Sequence, residues 1–400
     1  MTAIVATPPA ALHDTFQALN IKPAHNDVYD AEEKKRRIFD TPYEPNLKWW
    51  TTNQAEYVKP SQDPLPEGYP DQVVSNSVWD GKVLINQPEK WLYQFTDDDI
   101  KLINKAYDHF QSLSIANNEI DRTTFPIPTE TNLHDVLTGV THELNHGLGF
   151  RVLRGLPVDP WTRSKQISVF AGISAYVSPR RIASPSGDNI THLRWVLVSC
   201  KCTKLTGIIA VFHNDGSLGI ISLFTLGVAE TGGLSQLASV GQTYNEFARD
   251  RRDIVRELAK TDWKNKYPPE ADNYCIGRRL IHPVGDKQVI TVYSRRPYFG
   301  FYGADEDVEP LPREKHLALD AIHFTAEKYS IDLDLETGDL EYVNNVTVYH
   351  ARTASEDSEK NQRHLIRLWL DNEEQALPDN LVDEFRAPRE GQRWPQEAWN

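Results

Sequence analysis

An apolar run that ends in a histidine and an aspartate is the feature that most constrains the fold of this 400-residue chain. Residues 208–212 are all apolar, and His213, Asn214 and Asp215 follow them before Gly216. On an extended strand alternate side chains share a face, so His213 and Asp215 project from the same side. An imidazole and a carboxylate on one face are two of the three ligands of a 2-His-1-carboxylate site, the arrangement typical of non-haem Fe(II) oxygenases. The pattern therefore predicts a strand that ends at a metal centre.

The third ligand has to come from a distant part of the chain, and His350 is the candidate. A second His-Asn-Asp tripeptide lies at residues 25–27, so the tripeptide by itself does not identify a site. No strand pattern precedes that copy, whereas the copy at residues 213–215 follows one. We therefore predict that His213, Asp215 and His350 are the metal ligands and form the catalytic centre.

The composition limits the class of protein. A formal net charge of −14 argues against nucleic acid or an anionic membrane surface as a partner. No apolar run approaches the roughly 18 residues of a membrane span, and residues 1–8 lack the basic leader of a secretory signal. Three cysteines fit a reducing compartment rather than a disulfide framework. We therefore expect a soluble, cytoplasmic enzyme, and the sequence does not indicate its oligomeric state.

The chain divides into three predicted segments. Residues 1–90, rich in proline and polar residues, are expected to form an extended arm, and residues 376–400 an acidic tail that packs on the body. Residues 91–375 between them form the predicted domain. Its short strand patterns alternate with long helical ones, which favours a mixed α+β fold with a β-sandwich or barrel core surrounded by helices. Helices are predicted from Thr96, over 133–146, from about 160 to Ala171, over 244–259 and over 313–329.

Residues 142–146 read His-Glu-Leu-Asn-His and match the zinc-protease motif H-E-x-x-H. In that interpretation His142 and His146 bind zinc and Glu143 is the general base. The helical periodicity argues against it, because the apolar residues of this helix cluster on one side and the two histidines lie opposite them. A zinc metalloprotease is therefore the less favoured alternative.

Arg363 and Arg367 share one face of a predicted strand over residues 363–370. They face either solvent or the interior, and the spacing alone leaves both alternatives open. In the interior each would need an anionic partner, because a buried guanidinium is costly without one. A dicarboxylate co-substrate would supply two such groups in the bidentate geometry that suits arginine.

The motifs, taken together, resemble those of one known family. They are His213-Asn214-Asp215, Thr231-Gly232-Gly233, Asn344-Asn345 shortly before His350, and finally Arg363 and Arg367. In this combination and order the chain is similar to the taurine dioxygenase and clavaminate synthase group of Fe(II)/2-oxoglutarate-dependent oxygenases. The resemblance covers roughly residues 92–370 and includes the strand pattern at residues 149–155.

The resemblance implies a double-stranded β-helix (jelly-roll) core with peripheral helices. It also implies that iron is held by His213, Asp215 and His350. Three protein ligands would leave positions open for 2-oxoglutarate and O₂, and turnover would give succinate and CO₂ while the substrate is oxidised. Hydroxylation is the expected outcome, and desaturation or ring closure would need no different ligands.

The resemblance further implies which residues bind the co-substrate. Arg367 is expected to bind the distal carboxylate of 2-oxoglutarate, with help from the hydroxyl of Ser235. Arg363 is expected near the C1 carboxylate or the substrate, which leaves room for a small molecule that carries an anionic group.

Two departures from the family pattern bear on activity. Residues 195–207 do not match the family and represent either a divergent loop or an artefact of the gene model. With a damaged site the chain would be a catalytically impaired jelly-roll binding protein, which is the alternative to an active enzyme. The second departure is Asn214, where a small hydroxyl residue is commoner; because it faces away from the metal, we expect it to matter little.

Overall fold

The computed structural model describes residues 44–54, 63–184, 187–194, 210–216, 219–264, 277–299 and 311–375, together with positions 377, 381, 394 and 396. The tripeptide at residues 25–27, the unmatched segment 195–207 and most of the predicted tail lie outside the described residues. The predicted division into arm, domain and tail stays a prediction.

The described residues alternate between short strands and longer helices. The strands are β1 (Leu92–Gln94), β2 (Phe150–Arg154), β3 (Arg181–Ile182), β4 (Thr191–Arg194), β5 (Ala210–His213), β6 (Ile220–Gly227), β7 (Thr231–Gly232), β8 (Ser235–Ser239), β9 (Ile281–Val284), β10 (Gln288–Thr291), β11 (Ile331–Leu333), β12 (Leu340–Asn344), β13 (Val348–Arg352), β14 (Ser355–Glu356) and β15 (His364–Leu370). The α-helices are α1 (Leu47–Gln54), α2 (Gly81–Leu84), α3 (Asp97–Leu113), α4 (Asn132–His146), α5 (Arg163–Val177), α6 (Val240–Asp250), α7 (Arg252–Leu258), α8 (Arg296–Phe299) and α9 (Arg313–Tyr329).

The larger sheet has seven strands in the order β1–β2–β12–β6–β15–β3, and β4 also pairs with β15. β1 and β2 run parallel, and the remaining pairs are antiparallel. Alternate residues of β15 point to opposite faces. Ile366, Leu368 and Leu370 join a core cluster on the outer face of the sheet. Arg367 and Trp369 are therefore directed to the inner face.

The smaller sheet has four antiparallel strands in the order β11–β8–β13–β5. A core cluster joins the two sheets and contains Phe150 and Val343 from the larger sheet with Leu237, Leu333 and Val348 from the smaller one. The two sheets therefore pack face to face, and their inner faces share one apolar interior. β7 and β14 form a separate two-stranded ribbon, as do β9 and β10.

Helices cover the outer faces of both sheets. On the larger sheet the cluster joins Phe110 of α3, Leu137 of α4 and Phe170 of α5 to Phe224 of β6. On the smaller sheet a second cluster joins α6, α7 and α9 to β5, β8 and β13, and Trp50 of α1 belongs to it. The predicted mixed fold of strands and helices is thus confirmed.

Two helix predictions differ from the structure in their bounds. The third predicted helix continues beyond Ala171 to Val177. Its residues 166–177 are all buried, so it lacks the one-sided apolar pattern by which a helix end is recognised. The helix predicted over 244–259 is two helices, because Arg251 between them leaves the helical region at φ −139° and ψ 59°. Among the described residues no helix is long and apolar enough to span a bilayer.

Candidate metal centre

The smaller sheet brings His213, Asp215 and His350 together. His213 ends β5, and Asp215 lies two residues further along the chain. β13 pairs with β5 so that His350 lies directly opposite His213. Directly opposed residues of an antiparallel pair project from the same face, and the two imidazole ring centroids are 4.1 Å apart.

The three side chains converge on one point. His213 Nε2 lies 3.5 Å from Asp215 Oδ1, and His350 Nε2 lies 3.7 Å from the same oxygen. All three potential ligand atoms are within 4.8 Å of one another, and no other group of three such residues was found in the part of the chain that the structure describes. An ion placed between these atoms would have two nitrogens and one oxygen on one side and open positions on the other.

Hydrogen bonds orient two of the three side chains toward this point. His213 Nδ1 lies 2.8 Å from the carbonyl oxygen of Val211 and donates its hydrogen to it. The lone pair of the imidazole is then on Nε2, the atom that faces the centre. Asp215 Oδ2 accepts hydrogen bonds from Arg367 Nη1 at 2.9 Å and from Trp369 Nε1 at 2.8 Å, which leaves Oδ1 directed at the histidines.

The charges at the centre suit a divalent cation. Burial favours the neutral form of Asp215, but the charge of Arg367 and the proximity of the two histidines hold the pKa of its carboxyl group well below the usual range. Burial, reinforced by neighbouring His213, lowers the pKa of His350 to about 4, so this imidazole is neutral. Its buried Nδ1 has no hydrogen-bond partner. One carboxylate and two imidazoles are the donor set of non-haem Fe(II) sites, and the residues present fit iron.

Asn214 connects the metal-binding segment to other parts of the chain through its side chain. Its side chain is buried, and its Nδ2 donates to the carbonyl oxygens of Asn345 at 2.7 Å and Val348 at 3.3 Å. Its Oδ1 accepts from Thr291 Oγ1 at 2.8 Å and from the backbone N–H of Tyr293 at 3.2 Å. Facing away from the metal is what allows Asn214 to tie His213 and Asp215 to the chain that leads into β13.

Asn345 completes this connection. Its side-chain oxygen accepts from the backbone N–H of Asp215, and its Nδ2 donates to the carbonyl oxygen of Asp215, both at 2.9 Å. The pair of bonds fixes the backbone of the carboxylate ligand five residues before His350. In the sequence, Asn345 stands out only as part of the family pattern.

The predicted co-substrate residues Ser235, Arg363 and Arg367 have the following neighbours in the structure. Ser235 begins β8, and its Oγ lies 2.9 Å and 3.0 Å from the two carboxyl oxygens of Glu341. The side chain of Arg363 passes over Gly233, where Cδ lies 3.2 Å from the position that a Cβ atom would take, and its charge acts on Glu341. Ser235 and Arg363 therefore both act on Glu341, whereas Arg367 contacts Asp215.

Glu341 is a buried acid that the sequence patterns do not predict. It lies in β12, is 1% exposed, and burial raises the pKa of its carboxyl group to about 7. The available signal was a single acid in the run Leu-Glu-Tyr-Val, which otherwise reads as a buried strand.

The alternative zinc site is not supported. His142 and His146 are exposed on α4, and the buried residues of that helix, Leu133, Leu137, Val140 and Leu144, face the protein. The two rings are 4.8 Å apart, but within the described ranges no third His, Cys, Asp or Glu joins them in a metal-binding group. The solvated face predicted from the periodicity is confirmed.

Comparison with known proteins identifies the family. The family described as "Taurine catabolism dioxygenase TauD, TfdA family" matches residues 111–369. "Taurine hydroxylase-like protein SAT17" of Stachybotrys chartarum is 28% identical over 327 residues, which cover 76% of this chain and 81% of that protein. "FR-33289 synthase" of Streptomyces rubellomurinus is 23% identical over 316 residues, which cover 75% of this chain and 91% of that protein.

Solved structures share the fold. The non-heme iron oxygenase OrfP in complex with Fe and alpha-ketoglutaric acid superposes with a TM-score of 0.53 at 14% identity, over 74% of this chain and 97% of that one. An asparagine oxygenase in complex with Fe(II), 2S,3S-3-hydroxyasparagine and succinate gives 0.53 at 16% identity, over 70% and 94%. The predicted family, the enzyme class of oxidoreductase and the cofactors Fe(II), 2-oxoglutarate and O₂ are confirmed by these matches. Because the family match spans well over half of the sequence, this chain belongs to the TauD/TfdA family of dioxygenases.

Proposed function

We propose that this chain is an Fe(II)/2-oxoglutarate-dependent dioxygenase that hydroxylates a small molecule. The observation that carries the proposal is the convergence of His213 Nε2, Asp215 Oδ1 and His350 Nε2 within 4.8 Å. Bound there, iron would supply the activation of O₂ that couples decarboxylation of 2-oxoglutarate to oxidation of the substrate. The protein supplies the three ligands, their orientation and a setting in which their side chains are between 11% and 26% exposed.

The hydrogen bonds around Asp215 give this carboxylate a single role. Arg367 and Trp369 occupy Oδ2, so only Oδ1 is available to the metal. The carboxylate is thereby held as a one-oxygen ligand and does not spread over a second coordination position. Positions for the co-substrate and O₂ on the opposite side then stay free.

The two arginines exchange the roles that the resemblance implied. The distal carboxylate of 2-oxoglutarate is separated from its metal-chelating end by two methylene groups, so its partners must lie away from the ligand side chains. Arg363 and Ser235 meet that condition, whereas Arg367 already contacts the ligand Asp215 at 2.9 Å. We assign the distal carboxylate to Arg363 and Ser235, and the region of the C1 carboxylate and substrate to Arg367.

The free donor of Arg367 favours an anionic substrate group. Its Nη1 contacts the ligand Asp215 at 2.9 Å, which places the guanidinium beside the centre, and its Nε is buried without a hydrogen-bond partner. A carboxylate or sulfonate of the substrate would satisfy this donor. The names of the relatives, which include a taurine hydroxylase-like protein and an asparagine oxygenase, agree with a small substrate of this kind.

The topology favours a double-stranded β-helix. The metal ligands lie on the smaller sheet, the arginines come from or adjoin β15 of the larger sheet, and the apolar cluster lies between the sheets. A jelly-roll places its site between two such sheets. We also propose that residues 91–375 form the oxygenase domain, with residues 1–90 as an N-terminal arm and 376–400 as a tail.

Anaerobic titration tests the proposal. Protein loaded with Fe(II) and titrated with 2-oxoglutarate is expected to develop the weak visible charge-transfer band of the chelate, and admission of O₂ is expected to release succinate. His213→Ala should abolish both signals, and His142→Ala, which removes an exposed histidine of α4, should leave them unchanged. If the wild-type protein neither binds iron nor consumes 2-oxoglutarate, the impaired binding protein is the better description. If the wild-type protein retains zinc and His142→Ala does not, the zinc-protease interpretation is the better description.

A further inference from the structure

A buried acid lies where the proposed co-substrate pocket requires positive charge. Leu340 and Tyr342 of β12 join the core on the helical side of the larger sheet, and Val343 joins the cluster between the sheets. Because side chains alternate along a strand, Glu341 shares the face of Val343 and points between the sheets. With 1% exposure its carboxyl group has no direct access to solvent.

Polar and charged groups from three parts of the fold act on the Glu341 carboxyl group. From the smaller sheet, Ser235 Oγ donates to its carboxyl group, at 2.9 Å from Oε1 and 3.0 Å from Oε2. Arg363 immediately precedes β15, and its positive charge favours the ionised form of Glu341. The positive charge of Arg352 in β13 in turn lowers the pKa of Arg363. Asp339, two residues before Glu341 in the chain, opposes the ionisation of Glu341. The Asp339 carboxylate is itself paired with Arg154 at 2.7 Å.

These contacts conflict with co-substrate binding. The proposed function, on which this inference rests, assigns Ser235 and Arg363 to the distal carboxylate of 2-oxoglutarate. One serine hydroxyl and one guanidinium would then face two carboxylates in an interior of low polarity. Two carboxylates at such a site do not both stay ionised, and the less stabilised one takes up a proton.

We propose that Glu341 occupies the distal-carboxylate site in the absence of co-substrate and takes up one proton from solvent when 2-oxoglutarate binds. The incoming carboxylate then accepts the Ser235 hydroxyl and the Arg363 charge. The neutral carboxylic acid of Glu341 stays buried and can itself donate a hydrogen bond to the co-substrate. No covalent bond is made or broken, and the co-substrate binds in its ionised form.

The affinity for 2-oxoglutarate should therefore depend on pH. Burial already raises the pKa of Glu341 to about 7, against the opposing effects of Ser235 and Arg363. When Ser235 and Arg363 bind the co-substrate instead, they no longer stabilise the ionised form of Glu341. The pKa of Glu341 therefore rises further in the complex. Above pH 7 binding must then be accompanied by proton uptake, and the dissociation constant should rise by up to about tenfold per pH unit.

Calorimetry measures the proton directly. Anaerobic, Fe(II)-loaded protein is titrated with 2-oxoglutarate at pH 8 in phosphate, HEPES and Tris, whose ionisation enthalpies differ. The slope of the observed heat against ionisation enthalpy should show uptake of close to one proton in the wild-type protein. Glu341→Gln should show none and should bind with an affinity that is nearly constant between pH 7 and 9. Glu257→Gln, which changes a buried glutamate of α7 outside the site, should behave as the wild type.

Each other outcome is decisive. Binding without proton uptake by the wild type overturns the inference and leaves the proposed function intact, and this result requires no variant that has to fold. Uptake that persists in Glu341→Gln assigns the proton to another group and also overturns it. Absence of 2-oxoglutarate binding at every pH from 6 to 9 overturns the inference together with the proposed function.

Discussion

Replacement of Asn214 by alanine should destabilise the protein although the residue does not touch the metal. The substitution removes four buried side-chain hydrogen bonds, two of 2.7 and 2.8 Å and two of 3.2 and 3.3 Å, and keeps the backbone bond from Asn214 N to Tyr293 O. Each such bond contributes about 0.5–1.5 kcal/mol, so the sum is about 2–6 kcal/mol. Because the two long bonds count at the low end, we expect a loss of about 3 kcal/mol in the free energy of unfolding.

Iron binding should weaken in the same variant. His213 and Asp215 flank Asn214, so loss of the bonds to Asn345 and Val348 releases the segment that positions two ligands. Loss of contacts behind the ligands typically costs about 10–100-fold in metal affinity, and we expect a value in that range.

Urea unfolding and competition with a metal-binding dye measure the two effects. The control is Asn86→Ala, which removes one exposed bond of 3.3 Å to the carbonyl oxygen of Lys82 and should change the free energy of unfolding by less than about 0.5 kcal/mol. If Asn214→Ala unfolds at the same urea concentration as the wild type and holds iron equally well, the network does not support the site, and the reasoning is refuted.

Three further predictions follow from the packing and the charges. Phe150→Ala, at a fully buried position where the ring contacts Trp79 and Trp91, should cost about 3–5 kcal/mol in urea unfolding; a loss below 1 kcal/mol would contradict the packing between the sheets. Arg363→Gln should raise the KM for 2-oxoglutarate at least tenfold while iron is retained. A KM equal to that of the wild type would indicate that Arg367, and not Arg363, binds the distal carboxylate. The folded protein keeps a proton on Glu341 up to a pKa of about 7, against 4.5 for an ordinary glutamate, so its contribution to stability is present at low pH and is lost as the pH rises through this interval. Without co-substrate, Glu341→Gln should therefore gain thermal stability relative to the wild type as the pH rises from 5 to 8, and a constant difference would show that Glu341 does not titrate there.

The parts of the structure that depend on local rules could be predicted from the sequence. Thr96 and Asp99 form the capping box that begins α3, with Asp99 Oδ2 accepting from the backbone N–H of Thr96 at 2.8 Å. Strand alternation placed His213 and Asp215 on one side, and the apolar side of α4 indicated that His142 is exposed.

The parts that depend on contacts between distant residues could not. Asn214 and Asn345 are 131 positions apart, and nothing in either local sequence shows that they are bonded. The partner of Arg367 is a ligand carboxylate on the other sheet, whereas spacing along β15 shows only which face the arginine shares. Glu341 was missed because a charged residue in a strand is ordinarily solvated, and only the sheet packing shows it to be buried.

The bonds from Arg367 and Trp369 to Asp215 connect opposite sheets at the point where iron would bind. Any motion that widens the gap between the sheets would pull on this carboxylate and turn its other oxygen away from the histidines. The spacing of the sandwich and the coordination geometry are thus mechanically coupled. Substitutions that loosen the apolar interior far from the centre should therefore reduce iron retention before they unfold the chain.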